Sequence, residues 1–482
     1  MSNFNKKIDE SSRIKGSLFG FFVGDALGVP VEFVEREVLK RNPVTTMLEY
    51  GTHNQPIGTW SDDTSMTIAT IDSLIQNKCI DYKSIMDNFL KWYENGEYTP
   101  NNNVFDIGNA TLNALKKYQN DKTNFLCGST DVYSNGNGSL MRILPISLYL
   151  HYNNDPMFDT IKNISSMTHA HIYSIFSCCI YSVFINEYLK EFDIEKAYNN
   201  MQLIIRKILE NNDNEKILGN LNDLKQKFYR LIYENIKLLN ENDIKSSGFV
   251  IDTLESSIWC VLNTNNYKDA VLKAVNLGED TDTIGALTGG LAGLIYGYDA
   301  IPKPWIDVLK NKEYLVDIVN TFDNLFHESN NKKDLKDDEI ISMLWSNGLG
   351  DMNKYFNGEN PLPKKEKKAT IDSWKCKPFS SYKKINCSIT LKKDEFNILS
   401  MGHIPEVMED HWFMYCDENS VNYFRSWTGI QIFKGYFKPV GDSYIIYLLE
   451  INDNTDEYSE KNINNSLNLF NNLITAECKT YK

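Results

Sequence analysis

A chain of 482 residues exceeds the size at which a single hydrophobic core usually stops growing, so we expect one large domain and a smaller one. Hydrophobic residues make up 42% of the chain, which is enough for a sizeable core. The formal net charge of −14 argues against a broad surface for nucleic acid or anionic membrane, because either would need an excess of Lys and Arg.

The sequence predicts a cytoplasmic, soluble protein with no membrane partner. Residues 1–16 carry charges but no apolar run of the kind found in a signal peptide. No stretch approaches the roughly 18 uninterrupted apolar residues of a membrane-spanning helix. The nine cysteines are scattered and form no C-x-x-C pair, which fits a reducing compartment and gives no zinc site.

The first predicted elements are two helices separated by a loop. Residues 12–30 place apolar side chains at helical spacing, and Pro30 predicts where this helix ends. Residues 47–60 are rich in Gly, Pro and Asn, a composition typical of a loop. A second helix is predicted to begin at the sequence SDDT, residues 61–64, whose polar side chains have the composition of a helix cap.

The middle of the chain is predicted to be all helical. Residues 156–247 hold long apolar-periodic segments separated by Asn and Asp. Residues 251–298 are predicted to form two more helices, and the second carries a glycine at every fourth position, which places these glycines on one helical face: Gly285, Gly289, Gly293 and Gly297. Such a face allows close backbone approach, so we expect this helix at the centre of a compact bundle.

The composition changes beyond residue 327. Residues 328–370 are polar, rich in lysine and contain proline, which predicts a linker. Residues 371–482 hold aromatic and β-branched runs separated by turn residues, which predicts a small α+β domain. In this domain Trp412, Arg425 and Trp427 could together hold a nucleotide, although the same residue types are also common in cores and at their rims.

Two acidic clusters are the main candidates for chemistry. Residues 61–64 (SDDT) and residues 280–283 (DTDT) each offer oxygen ligands at a predicted helix start, and such ligands suit Mg²⁺ or Mn²⁺ better than zinc. The alternative is that both clusters are only helix N-caps. A cap, however, needs one acceptor, whereas each cluster has two acids, and crowded carboxylates are costly without a cation.

A calcium-binding loop does not explain the second cluster. With Asp280 in the first position, Ile284 stands at the fifth, where an oxygen ligand is expected. Leu291 then stands at the twelfth position in place of the glutamate that such loops require.

Two further motifs are candidates for ligand contacts. Residues 134–139 (SNGNGS) have the composition of an anion-binding turn, because unobstructed amides can point at a phosphate. As a dinucleotide fingerprint the motif fails, since Met141 stands where a third glycine is required, and an ordinary turn is the alternative. His169, ahead of a long apolar helix, is either a ligand contact or a surface or cap residue.

Taken together, these segments resemble the ADP-ribosylglycohydrolase family. Five matching stretches follow one another in the family's order across about residues 12–325: GSLFGFFVGDALGVPVEF at 16–33, GTWSDDTSM at 58–66, NGNGSLMRILP at 135–145, MTHAH at 167–171 and GEDTDTIGALTGGLAGLIYG at 278–297. Five ordered matches are more specific than any single one. The resemblance does not extend to residues 371–482, so this C-terminal domain has no predicted function.

The resemblance implies an all-α catalytic domain over residues 10–327 with a site for two Mg²⁺ or Mn²⁺ ions in a central cleft. Carried over by position, one ligand set comes from each acidic cluster: Ser61, Asp62 and Asp63 from the first, and Asp280, Asp282 and Thr283 from the second. Glu279 stands where the family commonly has glycine and adds a charge near the metals.

The resemblance also implies candidate catalytic and substrate-binding residues. Glu32 matches the family's mobile glutamate, so Glu32, Asp62 and Asp63 are the candidates for the general acid or base; a solvated loop position is the alternative for Glu32. The residues implied in contact with the diphosphate are Ser134, Asn135, Gly136, Asn137, Gly138 and His169. Asp25 is either part of the site or a structural residue that organises the first loop.

The predicted activity is removal of ADP-ribose from a modified acceptor, and ADP-ribosylarginine on protein is favoured over a small ADP-ribose conjugate. One alternative is a catalytically silent protein that binds ADP-ribose, which the complete set of oxygen-bearing ligand positions disfavours. Another is a two-metal phosphoesterase that cleaves the diphosphate itself.

Overall fold

The computed structural model describes residues 8–474, apart from 154–156, 212–213, 328–367, 406–411, 427, 442, 455–456, 459–462, 464–465, 468 and 472. The chain divides into two compact units, Met1–Met352 and Asn353–Lys482. The predicted linker, residues 328–370, lies outside the described residues as far as residue 367.

The first unit is built from helices, as the sequence predicts. In chain order they are α1 (Glu10–Gly28), α2 (Arg36–Arg41), α3 (Asp62–Asn77), α4 (Tyr82–Asn95), α5 (Asn109–Asn120), α6 (Leu144–Asn153), α7 (Met157–Ser166), α8 (Ile172–Glu191), α9 (Ile194–Glu210), α10 (Glu215–Leu218), α11 (Leu221–Lys227), α12 (Tyr229–Tyr233), α13 (Val250–Leu262), α14 (Tyr267–Val275), α15 (Thr281–Tyr296), α16 (Lys303–Asp307) and α17 (Lys312–His327). Short 3₁₀ turns lie at Val29–Val31, Gly51–His53, Leu140–Arg142, Ile236–Leu238, Glu241–Asp243 and Tyr298–Ala300.

Helices α1 and α15 pack backbone against backbone through two rows of glycines. A Cβ atom added to Gly24 would lie 2.0 Å from the carbonyl oxygen of Gly285, and one added to Gly20 would lie 2.3 Å from that of Gly289. Gly16 is equally close to the backbone of Gly293, at 2.5 Å. The predicted glycine face of α15 therefore meets a matching row in α1 that the sequence analysis did not single out.

The region 251–298 forms three helices, so the prediction of two was wrong. The additional helix is α14, only nine residues long. Asn266 caps it by accepting a hydrogen bond from the backbone amide of Asp269 at 2.9 Å, and Ala270 and Val271 are among the residues it buries. A helix this short contributes too few apolar repeats to stand out from a loop in the sequence.

Two segments of the first unit, Glu10–Val31 and Ile172–Glu191, are long and apolar enough to cross a membrane by length and composition alone. In each, 94% of the apolar window is buried inside the protein. Their apolar surfaces are therefore covered by neighbouring helices, which is the situation of core helices in a folded domain.

The second unit is centred on a five-stranded antiparallel sheet with the strand order β1-β5-β4-β3-β2. Its elements are β1 (Tyr382–Lys392), α18 (Lys393–Ser400), β2 (Trp412–Cys416), β3 (Ser420–Arg425), β4 (Gln431–Val440) and β5 (Ser443–Asn452), with a short 3₁₀ turn at Ile371–Ser373. A mixed helix and sheet composition is what the sequence predicts here.

The candidate nucleotide set of the second unit is partly described. The guanidinium carbon of Arg425 lies 4.4 Å from the ring centroid of Trp412, and the two residues face each other across β2 and β3. Trp427 lies outside the described residues. Because Arg425 and Trp412 contact each other on neighbouring strands, the pair is as consistent with the rim of the domain core as with a ligand site.

Candidate metal centre

The ends of three helices meet at one point in the first unit: the C-terminal end of α1 and the N-terminal ends of α3 and α15. The glycine contact between α1 and α15 continues to Gly28, where an added Cβ would lie 2.3 Å from the Cα of Asp282. The backbone of α1 is thereby held directly against the start of α15. The N-terminal ends of α3 and α15 carry partial positive charge, which favours acidic side chains at this place.

Asp25 joins α1 to the first acidic cluster. Its carboxylate accepts hydrogen bonds from the backbone amides of Ser61 at 3.0 Å and Thr64 at 3.0 Å, so it caps α3 from outside that helix. Ser61 is the N-cap residue itself, and its hydroxyl accepts from the amide of Asp63 at 3.2 Å. The first cluster is therefore a helix cap, but its capping contacts leave the side chains of Asp62 and Asp63 for other partners.

The two acidic clusters lie side by side although they are distant in sequence. The hydroxyl of Thr283 donates a hydrogen bond to Asp63 Oδ1 at 3.3 Å. From the opposite side, the amide nitrogen of Asn137 donates to Asp280 Oδ2 at 2.7 Å and to the Thr253 hydroxyl at 3.0 Å. The convergence expected from the sequence is therefore present in the fold.

Three overlapping groups of side chains could each hold a metal ion, with ligand atoms within 4.8 Å of one another. They are Asp25 with Asp63 and Asp282, Glu32 with Asp280 and Asp282, and Glu32 with His53 and Asp106. Asp282 belongs to two of these groups and stands at the centre of the acidic site.

The donor set fits a hard divalent cation. Two buried carboxylate oxygens, Asp63 Oδ2 and Asp280 Oδ1, have no hydrogen-bond partner among the described residues. Buried carboxylate oxygens are normally satisfied, because leaving them without a partner is costly. Oxygen ligands dominate the three groups, with His53 as their single nitrogen ligand, and this composition suits Mg²⁺ or Mn²⁺ better than zinc.

Burial and mutual repulsion raise the pKa values of these acids. Loss of water raises the pKa of Asp63 and of Asp282 well above the usual value, and neighbouring carboxylates raise it further. Burial also raises the pKa of Asp25 and of Asp280 to about 6, although hydrogen bonds to each carboxylate oppose the rise. A bound cation would favour the charged form of each of these acids, because it offsets both their burial and their mutual repulsion.

Addition of Mn²⁺ is expected to stabilise the protein more at pH 8 than at pH 4.5. The folded-state pKa values of Asp25 and Asp280, about 6, exceed the ordinary 3.8, so the folded protein binds more protons than the unfolded one between these values. The free energy of unfolding of the metal-free protein therefore falls as pH rises from about 4 through 6, and a bound cation offsets this fall. Thermal unfolding with Mn²⁺ and with EDTA across this range measures the difference; a gain that stays constant with pH would contradict it.

Glu32 is buried, with 2% of its surface exposed, so the interpretation of a solvated loop residue was wrong. Its carboxylate contacts Nε2 of His53, and its backbone oxygen accepts a hydrogen bond from the Thr52 hydroxyl at 2.7 Å. Burial first, and then the neighbouring Asp282 and Asp106, raise the pKa of Glu32 well above its usual value. One loop therefore holds Glu32 by both its backbone and its side chain, beside the acidic site.

Three non-glycine residues around the site have left-handed backbone conformations: Phe33 (φ 63°), Asp106 (φ 57°) and Glu279 (φ 61°). Such conformations are strained and are often found at functional sites. The backbone amide of Phe33 donates to the carbonyl of Glu279 at 2.6 Å, and the amide of Glu279 donates to the carbonyl of Val34 at 2.9 Å. The left-handed backbone explains why glycine suits the position of Glu279, whose side chain is exposed.

The predicted diphosphate loop lies next to the acidic site and next to His169. The segment Ser134–Gly138 is anchored by a hydrogen bond from the Val250 amide to the Asn135 carbonyl at 3.2 Å. At the other end of the loop, a Cβ added to Gly138 would lie 2.6 Å from Cε1 of His169. The fold thus brings the loop and the histidine together, while the Asn137 side chain is already engaged with Asp280.

The predicted ligands do not contribute equally to the three groups. Asp63, Asp280 and Asp282 belong to them, whereas Asp62 does not belong to any group found within the described residues. Asp62 is nevertheless buried. Burial raises the pKa of its carboxyl, and the nearby carboxylates of Asp106, Asp25 and Asp280 raise it further. A ligand role for Asp62, and for the hydroxyls of Ser61 and Thr283, stays a prediction.

Sequence reasoning missed two members of the groups and left a third open. Asp25 was left between a site role and a structural role, and the fold gives it both a capping function and a place beside Asp63 and Asp282. His53 and Asp106 were not singled out. Each is an isolated residue in a loop, and apart from the clustering of Asn and Gly around them no local pattern indicates their function.

Comparisons with known proteins identify relatives of the first unit. The sequence model of the family described as ADP-ribosylglycohydrolase matches residues 6–334. The chain is 34% identical to the ADP-ribosylarginine hydrolase Tri1 of Serratia proteamaculans over 317 residues, which are 65% of this chain and 79% of that protein. It is 25% identical to the ADP-ribosyl-[dinitrogen reductase] glycohydrolase of Rhodospirillum rubrum over 312 residues, with 62% and 91% coverage.

A solved structure described as an ADP-ribosylglycohydrolase-related protein complex superimposes with a TM-score of 0.53 and 25% sequence identity. It covers 66% of this chain and 98% of its own. Both acidic clusters lie inside the range that the family model matches. From its sequence and its helical fold, this chain belongs to the ADP-ribosylglycohydrolase family.

Proposed function

We propose that this protein is a divalent-metal-dependent hydrolase that removes ADP-ribose from ADP-ribosylarginine on a protein. The observation that carries the proposal is the meeting of two acidic clusters around buried carboxylate oxygens that lack a partner among the described residues. The arginine acceptor is favoured because relatives from Serratia proteamaculans and Pseudomonas putida, 34% and 32% identical, are named ADP-ribosylarginine hydrolases.

The proposed cofactor is a pair of Mg²⁺ or Mn²⁺ ions. The residues that would hold them are Ser61, Asp62, Asp63, Asp280, Asp282 and Thr283, to which the geometry adds Asp25. When bound, such cations orient and polarise a sugar and lower the pKa of a coordinated water. The chain contributes a rigid frame, because Asp25 is fixed by the amides of α3 and Asp280 by Asn137.

Glu32 is the favoured group for proton transfer. Hydrolysis forms a bond between the water oxygen and the anomeric carbon, breaks the bond from that carbon to the guanidine nitrogen, and moves one proton from water to the leaving group. A carboxylate beside the reacting atoms can accept this proton and pass it on. Glu32 borders both the acidic groups and the contact with His53, while Asp62 and Asp63 are the other candidates.

The diphosphate of the substrate is proposed to bind at the loop formed by residues 134–138. In a protein of net charge −14, an anionic group needs local donors. The amides of Ser134 and Asn137 already donate to the carbonyls of Asp131 and Gly248, so the amides proposed to meet the diphosphate are those of Asn135, Gly136 and Gly138. His169 lies against this loop and is 3% exposed, so it is placed to add a side-chain donor.

The proposed activity predicts that the full chain releases free ADP-ribose from an ADP-ribosylated arginine protein in Mg²⁺ or Mn²⁺, and that EDTA stops the release. Asp62→Asn removes a proposed metal ligand that is also a candidate for proton transfer, and it is expected to lower kcat by about 10²–10⁴-fold, the usual range for general acid–base catalysis. Asp299→Asn, which changes an exposed acid in the 3₁₀ turn Tyr298–Ala300, should leave the rate unchanged. Chromatography of the nucleotide products measures all three.

The products also separate the alternatives. AMP with ribose 5-phosphate would indicate a phosphoesterase that cleaves the diphosphate, and tight binding of ADP-ribose without turnover would indicate a silent binding protein. Equal release by the wild type and Asp62→Asn would show that the proposed site is not where the reaction occurs.

A further inference from the structure

Arg142 is a fully buried cation beside the proposed diphosphate loop. It follows the loop in the short turn Leu140–Arg142, and its guanidinium carbon lies 4.8 Å from the ring centroid of Phe89. Its Nη2 donates to the carbonyl of Ile164 at 3.0 Å and to the hydroxyl of Thr168 at 2.8 Å. Within the described part of the chain no carboxylate pairs with this guanidinium, and its Nε and Nη1 are buried without a hydrogen-bond partner, so a charge is costly at this place.

The Thr168 hydroxyl links Arg142 to His169 by hydrogen bonds. Its hydroxyl oxygen lies 2.9 Å from Nδ1 of His169 and is buried. Because the guanidinium can only donate, the Thr168 oxygen is the acceptor in that bond, and its own proton needs an acceptor elsewhere. Among the described residues Nδ1 of His169 is the acceptor in reach, so the hydroxyl donates to Nδ1 and the ring carries its proton on Nε2.

The edge of the ring that carries Nε2 faces the loop. A Cβ added to Gly138 would lie 2.6 Å from Cε1 and 3.1 Å from Nε2, so this edge of the ring packs directly against the backbone of Gly138. No residue of the described part of the chain hydrogen-bonds Nε2. Burial first, and then the nearby Arg142, lower the pKa of His169 to about 3, which keeps the ring neutral at physiological pH.

We propose that Arg142 and Thr168 are positioning residues that hold His169 in the tautomer protonated on Nε2, so that it presents a neutral N–H donor to an anionic oxygen at the turn formed by Gly136–Gly138. The identity of that oxygen as part of a diphosphate rests on the proposed function. The tautomer itself does not, because it follows from contacts within the chain.

The tautomer is tested directly by ¹⁵N NMR of the full chain labelled at its seven histidines. The signals of His169 are assigned as those that disappear in His169→Gln. The expected result is an unprotonated Nδ1 and a protonated Nε2 in the wild type and in Thr168→Ser, which keeps the hydroxyl. Thr168→Val keeps the shape but has no proton to donate, so its His169 should show a mixture of tautomers. A wild-type ring protonated on Nδ1 would overturn the proposal.

Ligand binding gives a second readout that a purely structural role would not reproduce. Thr168→Val is expected to weaken ADP-ribose binding and raise KM by about tenfold, the effect of one lost hydrogen bond to a charged oxygen, with kcat nearly unchanged. Thr168→Ser should keep the wild-type affinity for ADP-ribose and the wild-type KM. Equal affinities in the two variants would overturn the proposal, whereas an absence of turnover in wild type would refute the proposed hydrolysis and leave the tautomer measurement standing.

Discussion

Asp282→Asn is expected to change stability in opposite directions with and without metal. Without metal, the Asp282 carboxylate lies among Asp25, Asp63 and Asp280, and burial and repulsion raise its pKa well above the usual value. Replacing it by an amide removes one repelling charge and lets the new N–H group donate to a neighbouring carboxylate. The free energy of unfolding in EDTA should therefore rise by on the order of 1 kcal/mol, the usual size of a single-substitution effect.

The same substitution should remove most of the response to metal. A cation present at about a hundredfold excess over its Kd stabilises a protein that binds it by about 2.7 kcal/mol. Asp282 is shared by two candidate groups, so the variant should lose most of this gain, and hydrolysis should fall by about 10³-fold or more because each step depends on the assembled site. Thermal unfolding with Mn²⁺ and with EDTA, together with ADP-ribose release, measures these effects.

Asp87→Asn is the matched control for this prediction. Burial alone would raise the pKa of the Asp87 carboxyl, but the hydrogen bonds it accepts from Lys83 and Tyr118 outweigh burial and hold that pKa below the usual value. Loss of the Asp87 carboxylate should lower the free energy of unfolding slightly, and by the same amount in Mn²⁺ and in EDTA. If Asp282→Asn also lowered stability equally in both conditions, the carboxylates of the site would not be repelling one another and no cation would be needed there.

The parts of the site that follow from local sequence could be predicted. The sequences SDDT and DTDT hold more acid than a helix cap requires, and this excess marks them without any knowledge of the fold. The glycines at every fourth position of α15 likewise indicate a close helix contact. The two acidic clusters lie together because this contact sets the start of α15 against the end of α1, where Asp25 caps α3.

The parts that depend on loops could not be predicted. His53 reaches Glu32 only through the turn Gly51–His53, and Asp106 reaches it from a segment with a left-handed backbone. Neither residue lies at a helical or strand spacing from another acid, so no periodicity marks it. The burial of Glu32 was missed for the same reason, since the side chains that cover it come from distant loops.

Gly289→Ala is expected to destabilise the first unit strongly although it adds a single methyl group. The new Cβ would lie 2.1 Å from the carbonyl oxygen of Gly20 and 2.9 Å from its carbonyl carbon, and backbone atoms cannot rotate away as a side chain can. Helices α1 and α15 would have to separate. We expect a loss of about 3 kcal/mol or more, the upper range for overpacking in a core, and weaker Mn²⁺ binding because Asp25 would move away from Asp282.

Gly290→Ala, one residue further along the same helix, separates this steric effect from the general effect of alanine. Its Cβ would meet the flexible ends of side chains, with Leu144 Cδ2 nearest at 3.0 Å. Because alanine favours a helix over glycine by about 1 kcal/mol, this variant should be close to neutral. Urea unfolding followed by circular dichroism compares the two; equal stabilities would mean that contact between the backbones of α1 and α15 does not hold the acidic site together.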